Sequence, residues 1–109
     1  MKESNDDFIK KALKPHRKEI DKLDDQILKL LGKRFDVVRK VAKVKIKHDI
    51  PSFLGDRVAQ VKDRAAAQGP KYGIDPEFLR TLYTLIIYQS CALEDTLKHE
   101  EKLKKSRKK

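Results

Sequence analysis

The chain has few of the residues that build disulfides, zinc sites and large aromatic cores. Its 109 residues include one cysteine, no tryptophan and only 6% aromatic residues. A single cysteine, Cys91, excludes an intramolecular disulfide and favours a cytoplasmic location, where thiols stay reduced. One cysteine and three scattered histidines give no zinc-ligand spacing, and no phosphate-binding glycine loop is present. We therefore expect neither a metal nor another cofactor.

Long apolar segments and strand patterns are also missing. No run approaches the roughly 18 apolar residues of a membrane-spanning helix. The polar, acidic start of the chain gives no reason to expect a signal peptide. Apolar residues instead recur at three- and four-residue spacing, which predicts an all-α protein. We expect one helical domain, residues 15–101, between a polar N-terminal segment, residues 1–14, and a basic tail, residues 102–109.

Three helices are predicted in the order long, short, long. The first covers residues 15–47, with Pro15 in the first turn, where a missing N–H leaves no bond unmade. The second covers residues 54–68, and the third follows the N-cap Asp75 and loses its pattern after Leu97. A first helix of about 50 Å, at about 1.5 Å per residue, is too long for the core of one small globule. Its apolar stripe predicts a partner helix, most simply that of a second copy.

Basic residues dominate the charge. The formal net charge of +10 by itself suggests binding to nucleic acid or to an acidic membrane surface. Six of the eight residues in 102–109 are Lys or Arg, and such a run is usually a solvated, frayed tail. The rest of the chain is only mildly basic. A small, doubly anionic substrate explains its cations better, and a basic helical module that binds nucleic acid is the non-enzymatic alternative.

Two cations interrupt the apolar stripe of the first predicted helix. Arg34 and Lys45 lie about 20° apart around the helix axis, with Val38 and Val41 between them on the same face. Either both side chains extend outward and cover apolar surface with their stems, or they close the two ends of an anion pocket. The second interpretation follows from the need of a buried cation for a counter-charge.

Two further arginines are candidates for the same pocket. Arg17 is turned about 100° away from the face that carries Arg34, so it joins that pocket only from a second chain, or else stays on the surface. Arg57 opens the second predicted helix. It either closes the pocket or pairs with Asp56 or Asp63, and such surface pairs contribute little to stability.

The third predicted helix carries one carboxylate among apolar neighbours. Glu94 shares a face with Ile87 and Cys91, with Ser90 beside it. One interpretation is an exposed residue paired with Lys98 one turn later. The other is a buried carboxyl that donates a proton or a hydrogen bond in a reaction. No nucleophile and base stand at a suitable spacing, which favours chemistry by positioning and charge alone.

The order of these elements resembles the all-helical chorismate mutases. The resemblance extends over about residues 17–98 almost without gaps. The segments that carry it are Arg17-x-x-Ile20-x-x-Leu23-Asp24, Leu31-Gly32-Lys33-Arg34, Lys43-Val44-Lys45, Ile50-Pro51, Asp56-Arg57-Val58, Gly73-Ile74-Asp75 and Leu85-Ile86-Ile87 with Ser90 and Glu94. It implies a three-helix protomer in an intertwined homodimer with two shared active sites.

The resemblance also implies a role for each candidate. Arg17 would enter the partner's pocket and bind a substrate carboxylate, Arg34 would bind the other carboxylate, and Arg57 would close the site. Ser90 would contact the ring carboxylate.

Lys45 would bind a carboxylate and the ether oxygen, which Glu94 would face from the opposite side. The implied reaction is the [3,3] rearrangement of chorismate to prephenate, an isomerase step of aromatic amino-acid biosynthesis.

Val58 departs from the mutase pattern, because many chorismate mutases have at this position a Glu that holds the substrate hydroxyl. Val58 also resembles the isochorismate pyruvate lyases, which share the fold and form salicylate. Those lyases typically have Gln rather than Glu at the position of Glu94, so this residue favours the mutase. A mutase that acts on an aminated chorismate is a further alternative.

Overall fold

A computed structural model describes residues 5–107, and this part of the chain is all-α. The three helices are α1 Asn5–His48, α2 Gly55–Tyr72 and α3 Pro76–Arg107, and no strand occurs among the described residues. The predicted fold class and helix order are confirmed. None of the helices within 5–107 is long and apolar enough to cross a membrane. The ends of the two predicted terminal segments, residues 1–4 and 108–109, lie outside the described residues.

The outer helices are longer than predicted. α1 begins ten residues before Pro15, which lies inside the helix rather than in its first turn. Asp6 and Asp7 occupy the first turn instead, where negative side chains stabilise the positive end of a helix. At the other end, residues 102–107 continue α3 and are not a frayed tail. Basic side chains in a last turn stabilise the negative end of a helix, so this charge pattern suits a helix as well as a coil.

A left-handed turn rather than a proline ends α2. The second helix was predicted to end at residue 68, but Gly69 and Pro70 both belong to α2. Gly73 adopts φ 67° and ψ 31°, and its N–H donates to the Pro70 carbonyl at 3.3 Å. Glycine adopts this conformation without strain. The left-handed turn directs N–H groups to carbonyls at the helix end that have no partner within the helix. The start of α3 is as predicted, because the Asp75 carboxylate accepts the Glu77 N–H at 3.1 Å.

The chain divides into two units, residues 1–34 and 35–109. In the first unit, every side chain of α1 from residue 5 to residue 30 is exposed, including the apolar stripe. In the second unit, α2 packs against α3. Few apolar residues of the described chain are buried, and two of them are alanines: Ala42, Ala66, Leu79 and Ile87. A single copy therefore leaves most of its large apolar side chains in contact with water.

Gly69 lets α2 pack closely against the start of α3. A Cβ at Gly69 would lie 2.5 Å from the Ile74 carbonyl oxygen and 3.2 Å from Leu79 Cδ1, whereas a Cβ at Gly32 on α1 meets nothing within 4 Å. We expect Gly69→Ala to lower the free energy of unfolding by about 1–3 kcal/mol through overpacking. Gly32→Ala is the control and should raise it by up to about 1 kcal/mol, because alanine favours helix.

Urea unfolding of both variants at one protein concentration measures these two effects. Wild-type stability in Gly69→Ala would contradict the tight packing of α2 against the residues that start α3.

Candidate active site

A buried ion pair joins α1 to α3. Lys45 Nζ lies 2.8 Å from Glu94 Oε1, and the two side chains are only 13% and 5% exposed. Lys45 Nζ also donates a hydrogen bond to the Ser52 carbonyl at 2.8 Å. Glu94 Oε1 accepts no well-aligned hydrogen bond from the described residues, so its contact with Lys45 is ionic. Each charge is tolerated in the interior because the other compensates for its loss of water.

The loop after α1 holds Lys45 in place. Asp49 has φ 55°, a left-handed conformation that ends the helix, and the Ile50 N–H donates to the Lys45 carbonyl at 2.8 Å. Lys98 on α3 donates from Nζ to the Ile50 carbonyl at 2.6 Å. The loop carbonyls of Ile50 and Ser52 thus accept hydrogen bonds from one lysine on each helix. This arrangement fixes the ammonium of Lys45 toward Glu94.

Glu94 shares one buried face of α3 with two other residues. Ile87, Ser90 and Glu94 recur at three- and four-residue spacing, which places them on one helix face. Ser90 Oγ donates to the Ile86 carbonyl of its own helix at 2.8 Å. A hydroxyl bound in this way must rotate before it can donate to a ligand, but its lone pairs can accept without rotation.

Two further residues beside the pair have distinct chemical character. Cys91 is half-buried, with Sγ 3.7 Å from the Ser52 carbonyl. Burial and then the Glu94 charge raise the pKa of the Cys91 thiol. Since the thiolate is the reactive form, these effects disfavour Cys91 as a nucleophile. Ser52 was not among the predicted site residues. It is only 9% exposed, and its Oγ has no hydrogen-bond partner among the described residues.

The structure decides between the alternatives at Lys45 and Glu94. Both side chains are buried and face each other, so Lys45 does not extend outward. The predicted exposed pair between Glu94 and Lys98 is wrong, because Glu94 is 4% exposed and Lys98 donates to the Ile50 carbonyl. The sequence alone does not distinguish an exposed Glu94 from a buried one, because both interpretations place the carboxylate on the same helix.

The surroundings of the candidate arginines differ. Arg57 is exposed and donates to Gln60 Oε1 at 2.7 Å. The alternative pairing with Asp63 is wrong, because that carboxylate binds Arg80 Nη1 at 2.7 Å. Arg17 and Arg34 belong to the first unit, where the former is exposed and the latter half-buried. Among the described residues, no cluster of His, Cys, Asp and Glu is suited to bind a metal ion.

Residues 16–95 match the chorismate mutase type II family. The chain belongs to this family. Every candidate site residue from Arg17 to Glu94 lies inside the matched segment, and Lys98 with the remainder of α3 lies beyond it. The predicted resemblance is therefore confirmed.

Relatives in this family differ in the substrate that their names state. A 4-amino-4-deoxychorismate mutase from Streptomyces venezuelae is 38% identical over 80% of this chain and 84% of its own length. A second protein of that name, from Streptomyces pristinaespiralis, is 39% identical over 72% of this chain, but the match covers only 61% of its length. A chorismate mutase from Methanocaldococcus jannaschii is 28% identical over 72% of this chain and 79% of its own.

The buried pair makes a prediction about stability. Lys45→Met leaves Glu94 without its cation, so we expect the free energy of unfolding to fall by about 3–5 kcal/mol. Lys43→Met, at an exposed position on the same helix, is the matched control and should change it by less than about 0.5 kcal/mol. The double variant Lys45→Met/Glu94→Leu should regain most of the loss, because apolar side chains of similar size can replace a buried ion pair.

Urea unfolding at pH 7 of the wild type, Lys45→Met, Glu94→Leu and the double variant, with Lys43→Met as the control, gives the coupling between the two positions. Losses that simply add in the double variant would mean that Lys45 and Glu94 do not interact in solution.

Proposed function

We propose that this member of the chorismate mutase family catalyses the [3,3] rearrangement of chorismate to prephenate, with no cofactor and no covalent intermediate. The observation that carries the proposal is the buried pair of Lys45 and Glu94 inside the matched segment. A buried ion pair adds little stability compared with apolar residues of the same volume. Its presence on adjoining helices is better explained by a reaction that needs charges in a dry site.

The rearrangement needs orientation and charge stabilisation. The enolpyruvyl side chain of the substrate must be held over the ring, which is an entropic cost that binding can cover. Negative charge then grows on the ether oxygen as its bond breaks. The Lys45 ammonium stabilises that charge, and Glu94 adds a hydrogen bond when its carboxyl carries a proton. Preset donors of this kind contribute about 3–4 kcal/mol each to transition-state stabilisation.

Substrate binding must separate the ion pair. An ether oxygen that accepts hydrogen bonds from Lys45 and Glu94 on opposite sides needs these groups about 5 Å apart, since each bond spans about 2.8 Å. They lie 2.8 Å apart in the free protein. In this proposal the substrate oxygen takes the place of Glu94 beside the ammonium, which in the free protein also donates to the Ser52 carbonyl.

The carboxylates of the substrate are assigned to the cations and to Ser90. Arg34 and Arg57 bind them from the same chain, and Arg17 binds from a second copy. The intrahelical partner of Arg57 is the neutral Gln60, which a carboxylate ligand displaces at little cost. Ser90 reaches the ring carboxylate once its hydroxyl turns away from Ile86.

The assignment of Arg17 to a second copy requires a homodimer, and the exposed apolar side chains of α1 support one. The apolar side chains of α1 that a single chain leaves exposed include Ile20, Leu23, Ile27 and Leu30, each more than half exposed. Burial of one such side chain is worth about 1.5–3 kcal/mol. A helix segment with no buried residue gains little stability from its own sequence, because isolated helices are marginal in water. The same segment in a second copy is an apolar partner of matching length and spacing.

A second candidate substrate is 4-amino-4-deoxychorismate. Two Streptomyces relatives with 38% and 39% identity carry the name of a mutase for that compound. Val58 is a half-buried apolar residue of α2 and offers no hydrogen bond to a substituent on the substrate ring. The Methanocaldococcus relative named chorismate mutase supports chorismate as a candidate, and the charge chemistry of the site suits both compounds.

Turnover of three compounds in parallel tests the function. We expect the protein to convert chorismate to prephenate and to act less well on 4-amino-4-deoxychorismate, with no release of pyruvate from isochorismate. Lys45→Gln should lower kcat/KM for the preferred substrate by at least about 100-fold, because one transition-state donor is removed. Lys43→Gln, which makes the same change on an exposed part of α1, should leave it unchanged.

The alternatives predict different results in the same assay. Faster turnover of the aminated compound would assign it as substrate. Pyruvate and salicylate from isochorismate would establish a lyase. No turnover of any of the three, with salt-dependent binding of DNA or RNA, would establish the non-enzymatic basic module.

Mixing of two inactive variants tests the shared site. Arg17→Ala and Lys45→Gln chains should each be inactive alone, but a mixed dimer contains one pocket with both natural residues. Random exchange should restore about one quarter of the wild-type activity in a two-fold symmetric dimer. The control mixes Lys45→Gln with Glu94→Ala, two residues of one chain's pocket, and should restore nothing. Equal activity in both mixtures, with chain exchange confirmed, would show that Arg17 does not cross between subunits.

A further inference from the structure

A groove of about 260 Å³ lies between the end of α1 and the last turns of α3. Its lining residues come from both helices, and four of the seven lie beyond residue 95, where the family match ends. They are Lys45, Ile46, Asp49, Lys98, Glu101, Lys102 and Lys105. Most of the groove is therefore lined by residues that the family match does not include.

The lysines of α3 are arranged to act together. Lys98, Lys102 and Lys105 recur at four- and three-residue spacing, so they share one face of the helix. Lys45 completes the set from α1, and Asp49 and Glu101 compensate two of the four positive charges. The lining residues have a formal charge of +2, which Glu94 lowers to +1 through its ion pair with Lys45.

Unused hydrogen-bond donors remain in the groove. Lys98 donates one N–H to the Ile50 carbonyl, and Lys45 donates one to the Ser52 carbonyl. An ammonium has three N–H donors, so Lys98 retains two for a ligand, whereas Lys45, which also contacts Glu94 at 2.8 Å, retains one. Positive side chains gathered in a concave site also focus the electric field and attract anions more strongly than the same charges on a flat surface.

We propose that this groove is an anion site, additional to the substrate site proposed at the Lys45–Glu94 pair. Its ligand is a small molecule with at least two negative charges on carboxylate or phosphate groups. The volume lies just below the range of about 300–1,000 Å³ that is typical of small-molecule sites, which excludes a large ligand. Lys45 is shared between the groove and the ion pair, so the ligand binds next to the catalytic centre without occupying it.

Binding of pyrophosphate and of citrate to the full-length protein, at constant ionic strength, tests the site. Isothermal titration with wild-type protein should give saturable binding of at least one of the two probes. Lys102→Ala/Lys105→Ala should weaken that binding at least tenfold. Lys104→Ala/Arg107→Ala is the matched control, because it removes the same charge from the same exposed end of α3 at positions outside the groove. The control should bind as the wild type does.

Two results would overturn the proposal. Equal weakening in both double variants would mean that the probes respond to the general charge of the helix end. No saturable binding to the wild type at millimolar probe would mean that these lysines only stabilise the helix end. Circular dichroism of each variant confirms that the fold is retained. The test uses no turnover, so its outcome is independent of the proposed mutase activity.

Discussion

The ion pair between Lys45 and Glu94 is the contact on which the site depends. Burial of either charge alone would cost several kcal/mol, so each position is stable only with the other filled. The pair also orders its surroundings, because Lys45 bonds to the Ser52 carbonyl and Lys98 to the neighbouring Ile50 carbonyl. Hydrogen bonds from these two lysines therefore hold the loop after α1 in its path. In the proposed reaction, the ammonium that this pair holds in the interior faces the ether oxygen of the substrate.

The second constraint is the small core of a single chain. Its buried apolar residues include two alanines, and the large apolar residues of α1 remain exposed. In the proposed dimer, the same helix buries its apolar stripe against a second copy and supplies Arg17 to the partner's pocket. Assembly and substrate binding would then be inseparable, since a chain that lost its partner would lose both its stability and one of its carboxylate ligands.

The end of α3 shows how charge pattern and structure can diverge. Six basic residues in the last eight suggested a solvated tail, yet residues 102–107 are helical. A basic run is compatible with either state, because cations stabilise the negative end of a helix. Once helical, the run places Lys102 and Lys105 on the face of Lys98, whereas Lys104 and Arg107 lie outside the groove. Helix formation thus places two residues of an otherwise unspecific basic run in the lining of one groove.

The sequence by itself determined the helical class, the order of the helices, the Asp75 cap at the start of α3 and the family, because these depend on local spacing and on motifs. It also placed Arg34 and Lys45 on one face of one helix. It did not determine that Glu94 is buried against Lys45, that Ser52 lies beside them, or that Gly69 and Pro70 remain inside α2. These features depend on contacts between segments far apart in the chain. The local sequence around each residue is equally compatible with a buried and a solvent-exposed side chain. Only tertiary packing, which fixes what surrounds each side chain, decided whether a charge would be solvated, paired or available for chemistry.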